Sequence, residues 1–219
     1  NFRMLIGCAG SWLLFDIVFY GLTLLGGVVI NAIADEDDDV SSDANVRIIC
    51  SKQSIALSVG LVGVYCTVLL LGYMNLKYVQ VAGFLMQGFF IMLFACFFHY
   101  LKQNSPDGLF VLYILCLMSL QFGVAVATYC MPAALFNKNI RSTYNGIAAA
   151  GGKVGAIIGA YTFPSIAEAS IEAVLATCVV VCALGIFFTH HYIRTSDLEK
   201  NNPFSRHYIA SAADSPTVR

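Results

Sequence analysis

Trp12, Asp16 and Tyr20 recur at a spacing of four inside an apolar run from Met4 to Ala34. On a helix that spacing places the indole, the carboxylate and the phenol along one stripe, where they line a single polar seam. An ionisable group at bilayer depth is costly and marks a site for a ligand, an ion or a proton. A second such charge, Lys153, sits among glycines in a later apolar run. An ammonium there needs a partner, water or an anion, or must snorkel to the headgroups. About ten residues separate it from the start of its run, roughly 15 Å at helical rise, which favours the anion.

The elements that hold these groups read as membrane helices. Apolar residues make up 58% of the 219 and charged ones 11%, and the mean hydropathy is +0.76; soluble domains carry about a quarter charged residues. Runs of about 20 apolar residues mark bilayer spans. Six occur, at 3–34, 54–74, 79–101, 109–136, 143–166 and 171–193. They lack the period-two alternation of barrel strands, so the expectation is an all-α polytopic bundle. It forms one domain, 1–194, and the polar stretch 195–219, with Pro203 and Pro216, reads as a disordered cytoplasmic tail.

Charge orients the bundle. With a cytoplasmic N-terminus, Arg3, Lys77, Lys138, Arg141, Arg194, Lys200, Arg206 and Arg219 fall inside, while Arg47, Lys52 and Lys102 fall outside. The positive-inside rule therefore predicts both termini cytoplasmic. The acidic run from Asp35 to Asp39 reads as a solvated outer loop, and His190 and His191 as imidazoles in the headgroup layer. Cys66, Cys96, Cys116, Cys178 and Cys182 lie within spans and read as small hydrophobes, with Cys50, assigned to the outer loop, set apart. Because the first residue is Asn1 and no Met or charged leader precedes the first span, a fragment of a longer protein is expected.

Two spans carry special punctuation. Gly151, Gly155 and Gly159 form a small-residue stripe on which another helix can pack closely. Pro132 is expected to bend the fourth span, and Gln121 on the same span is a polar side chain at membrane depth that can face a cavity or bond a neighbouring helix.

The segment Gly10-Ser11-Trp12-Leu13-Leu14-Phe15-Asp16-Ile17-Val18-Phe19-Tyr20-Gly21 closely resembles the seventh helix of phosphate:proton symporters of the major facilitator superfamily. Phe136, followed by the run from Arg141-Ser142-Thr143-Tyr144-Asn145-Gly146 through Lys153 to Gly159, resembles the signature between that family's tenth and eleventh helices. The resemblance implies the C-terminal six-helix half of a twelve-helix fold. It implies phosphate contacts for Trp12, Asp16 and Tyr20, and matches Lys153 to the eleventh-helix lysine. Ala125 departs from the family by replacing a phosphate-binding asparagine, and Gln121, one turn away, is expected to substitute for it. Pro132-Ala133-Ala134 stands for Pro-Gly-Glu, Phe136-Asn137-Lys138-Asn139 for Phe-Pro-Thr-Arg, and Asn75-Leu76-Lys77 for Gly-Arg-Lys.

Together these readings predict proton-coupled transport of inorganic phosphate, a secondary active transporter rather than an enzyme, in the lipid bilayer of the plasma membrane. Asp16 would carry the proton, Trp12 and Tyr20 would supply neutral donors, Gln121 would assist, and Lys153 would attract the anion. No cofactor, metal or nucleic-acid partner is expected, whereas a homologous N-terminal six-helix half is. The alternatives are a non-transporting half-bundle or phosphate sensor, and a superfamily carrier of another organic anion or a sugar. An intramembrane aspartyl protease fails for want of a second intramembrane acid.

Overall fold

The computed structural model describes residues 2–24, 26 and 42–201. The acidic run 35–39, the end of the first expected span and the tail beyond 201 lie outside the described residues. The chain forms helices α1 (Phe2–Leu24), α2 (Ser42–Leu71), α3 (Leu76–Asn104), α4 (Pro106–Leu120), α5 (Val126–Leu135), α6 (Arg141–Ala169), α7 (Ile171–Tyr192) and the short α8 (Thr195–Asn201). Among the described residues six helical segments, with α4 and α5 joined as one, are long and apolar enough to cross a membrane. Leu61, Tyr65, Val68 and Leu69 of α2, with Leu85, Phe89 and Phe187, point outward. In water such a surface would be penalised, whereas hydrocarbon accepts it.

Three boundaries differ from expectation. α2 begins at Ser42, so Arg47, Cys50 and Lys52 ride on helix rather than in a loop. Its first turns are polar but contain no Gly or Pro, and backbone bonding continues past the apolar stretch. The segment 195–201, expected to be unstructured, starts as helix α8, whose Leu198 packs with Cys8, Met131, Leu135 and Phe136.

The third difference concerns the fourth span, which breaks rather than bends, and not at Pro132. Between α4 and α5 lies a wide turn, Gln121–Ala125, in which Phe122 has φ −76°, ψ 128° and Gly123 has φ 70°, ψ −70°. Only glycine adopts that positive φ without strain. The Gly123 N–H donates to Thr67 Oγ1 at 2.7 Å, and that hydroxyl donates on to the Gly63 carbonyl at 2.7 Å. Gly83 of α3 presses on the same turn, where a methyl group would come within 2.5 Å of the Val124 nitrogen. On either side of Gly83, Gln80 and Gln87 are fully buried, and neither amide finds a hydrogen-bond partner in the protein. Pro132, by contrast, lies inside α5.

The most extensive packing joins α1 to α6. Gly151 lies against Ala9, Gly155 against the Leu13 carbonyl and Gly159 against the Ile17 carbonyl. Both series advance by four in the same sense, so the two helices run parallel with their backbones in contact.

At one end of the bundle Lys77 Nζ donates to the His190 carbonyl at 3.2 Å and Arg3 donates to the His191 carbonyl. Two cations from different helices thus satisfy the open carbonyls at the end of α7, where the helix dipole also favours them. At the opposite end His99 lies 3.9 Å from Glu172.

Candidate functional site

The close approach of α1 and α6 builds the site. Its central residue is Gly152, beside the stripe rather than in it: a methyl group there would overlap Trp12 Cδ1 and lie 2.7 Å from the indole nitrogen and 2.9 Å from Asp16 Oδ2. The missing side chain therefore makes the space into which the indole edge and the carboxylate both fit. In the sequence this residue was only one glycine among several; the signal that singles it out is its adjacency to Lys153.

Asp16 is 4% exposed, whereas Lys153 is exposed and Trp12 and Tyr20 are half-buried. Lys153 Nζ donates to the Tyr20 hydroxyl at 3.4 Å and lies 5.4 Å from the centre of its ring, in cation–π range. Among the described residues no ion pair joins Lys153 to Asp16. The ammonium is thereby tethered to a neutral group and keeps its charge available to an incoming anion.

Trp12 also meets a residue that its spacing did not announce. The Tyr129 ring of α5 stands edge-on to the indole, with centroids 5.8 Å apart and planes at 61°. Gln121, by contrast, is not with the others. Its side chain packs on Gly60 of α2, where a methyl group would come within 3.0 Å of Gln121 Cγ. The break explains this: Gln121 lies on the near side of Gly123, so helical spacing does not carry its direction through to Ala125.

Four of the five expected site residues, Trp12, Asp16, Tyr20 and Lys153, therefore share one polar track, and Gln121 lies off it. The track offers an indole N–H, a phenol, an ammonium and one acid that can hold a proton, which is an inventory for a tetrahedral oxyanion. Among the described residues no cluster of three His, Cys, Asp or Glu side chains offers a metal site.

No family model matches the chain. Curated relatives do. The chain is 32% identical to inorganic phosphate transporter 1-1 of Arabidopsis thaliana over 163 residues, 73% of this chain and 31% of that protein. It is 31% identical to inorganic phosphate transporter PHO84 of Saccharomyces cerevisiae over 163 residues, 71% of this chain and 26% of that protein. Inorganic phosphate transporter 1-6 of Oryza sativa is 31% identical over 169 residues, 75% of this chain and 32% of that protein. The chain is a homologue of inorganic phosphate transporters. The match spans about a third or less of the length of these transporters. The resemblance drawn from the Trp12 to Tyr20 block and the Lys153 block thus agrees with the transporters that the chain matches.

Proposed function

We propose that this chain supplies the C-terminal six-helix half of a proton-coupled inorganic phosphate transporter of the major facilitator type. The observation that carries the reading is the joint placement of Asp16, Trp12, Tyr20 and Lys153 where α1 lies on Gly152 of α6. Phosphate would sit beside this track. Two negative charges a few ångströms apart in a low-dielectric site repel strongly, so Asp16 takes up a proton together with phosphate. The neutral carboxyl then donates a hydrogen bond to a phosphate oxygen, the Trp12 indole and the Tyr20 phenol donate others, and Lys153 supplies the positive potential.

Loss of the proton on the inner side restores the negative charge and expels the anion. Rocking of this bundle against a homologous N-terminal half would alternate access, at the expense of the proton gradient and with no chemical reaction. In the proposed orientation Arg3, Lys77, His190 and His191 face the cytoplasm and the bilayer is the plasma membrane.

Radiolabelled phosphate uptake, by the complete gene in cells lacking their own carriers, tests the reading at acidic and neutral outside pH. Uptake stimulated by acid, with the stimulation lost in Asp16→Asn, is the expected result. No uptake by a wild type present in the membrane would overturn transport in favour of a phosphate-sensing half-bundle.

A further inference from the structure

The donors assigned so far all come from α1 and α6, and a tetrahedral anion lying on them presents oxygens to the opposite side as well. That side belongs to α5, which starts just after the break. Ala125, at its N-terminal boundary, offers no polar group, and Gln121 is turned away onto Gly60. The hydroxyl of Thr128 is spent on the carbonyl of Val124, at 2.8 Å. One turn beyond Ala125 on the same face stands Tyr129.

Three observations mark Tyr129. Its ring edge touches Trp12, so its face of α5 is the one turned to the polar track. It is 66% exposed and so lies outside the core. Its hydroxyl makes no hydrogen bond to the described residues, while the buried phenol of Tyr113 is bonded to Gln53 Oε1 at 3.0 Å. An exposed phenol of this kind is free to donate to a ligand.

We propose that Tyr129 is a substrate-binding residue that donates its phenolic hydrogen bond to the bound phosphate from the α5 side, the contribution that Ala125 cannot make. The inference rests on the phosphate reading above and adds a residue and a third helix to it. The anion is then held from three helices, with Trp12 serving both as donor and as the wall that fixes the Tyr129 ring.

Two variants separate the hydroxyl from the ring. In Tyr129→Phe the edge contact with Trp12 persists and only the donor is lost; in Tyr129→Ala both go. The product of the complete gene, in phosphatidylcholine nanodiscs, is titrated with radiolabelled inorganic phosphate, and its uptake in cells is measured in parallel. Loss of a hydrogen bond to a charged ligand predicts a dissociation constant about tenfold higher in Tyr129→Phe, with an unchanged Tm. Equal phosphate binding by wild type and Tyr129→Phe, with weakening only in Tyr129→Ala, would make Tyr129 a prop for Trp12 and overturn the proposal. Weakened binding in Tyr129→Phe upholds it even where wild-type uptake fails, which would sink only the transport reading. A wild type that binds no phosphate overturns both.

Discussion

The ε-ammonium of Lys153 donates to the phenolic oxygen of Tyr20 across 3.4 Å rather than to the carboxylate of Asp16. A salt bridge there would have neutralised the site's one cation before any anion arrived. Held by a neutral phenol, the charge remains to be used. At an effective dielectric near 20, two unit charges 4 Å apart attract by about 4 kcal/mol, an upper bound for what the exposed end of this side chain adds.

Lys153→Gln should therefore weaken phosphate binding by about tenfold or more, and the remaining affinity should be less sensitive to ionic strength than that of the wild type. Lys153→Arg keeps the charge but replaces a point ammonium by a planar fork, so a partial recovery is expected. Phosphate titrations at low and high salt read both effects. An unchanged constant in Lys153→Gln would remove the lysine from the site.

The parallel contact of α1 with α6 predicts a gradient of tolerance along the glycines. Around Gly155 and Gly159 the Leu13 and Ile17 carbonyls already occupy the space of a methyl group, whereas at Gly151 the nearest atom would be 3.1 Å away and at Gly146 there is none within 4 Å. Overpacking of this kind costs about 1–3 kcal/mol. Thermal unfolding in detergent should place Gly155→Ala and Gly159→Ala several degrees below wild type, with Gly151→Ala milder and Gly146→Ala unaffected or higher. A uniform response would mean that the two backbones are not in contact.

Much of this arrangement was legible in the sequence, for physical reasons. Hydrophobic runs announce spans because bilayer thickness fixes their length, and the spacings of Trp12, Asp16 and Tyr20 and of Gly151, Gly155 and Gly159 hold because α1 and α6 are continuous helices. Direction along a helix is predictable only while the helix is unbroken. That is why Gln121 stands apart from the other four: the register assumed between it and Ala125 passes through Gly123. Tyr129 and Gly152 escaped notice because their roles come from tertiary contact, Tyr129 with Trp12 and Gly152 with Trp12 and Asp16. Pro132 was expected to bend the span, whereas the positive φ falls at Gly123, where Gly83 leaves room for the turn.

Gln80 and Gln87 place two amides without protein partners inside a span, at a burial cost of about 1–3 kcal/mol each. Met, close in volume and apolar, removes that cost. Gln80→Met and Gln87→Met should each raise the unfolding temperature of the purified chain, by about 2–4 °C per kcal/mol for a chain of this size. A drop instead would show that the amides are hydrogen-bonded in the membrane-embedded protein, with water as the partner available to them.

The break between α4 and α5 gives the sharpest comparison of two substitutions. In Gly123→Ala the new methyl group meets Gly83 Cα and the Val79 carbonyl, both at 2.7 Å, while the backbone keeps a φ of 70° that alanine resists. Strain of about 1–3 kcal/mol is expected, enough to shift the turn. Thr67→Val leaves the Gly123 N–H without its acceptor and should cost a similar amount. Pro132→Ala lies within α5, restores an N–H and relieves a ring clash, so its effect should be neutral or stabilising. Unfolding temperatures rank the three, and hydrogen–deuterium exchange over residues 121–126 should rise in Gly123→Ala and Thr67→Val but not in Pro132→Ala. The opposite ranking, with Pro132→Ala the most disruptive, would move the break to the proline and return Gln121 to the helix face that carries Tyr129.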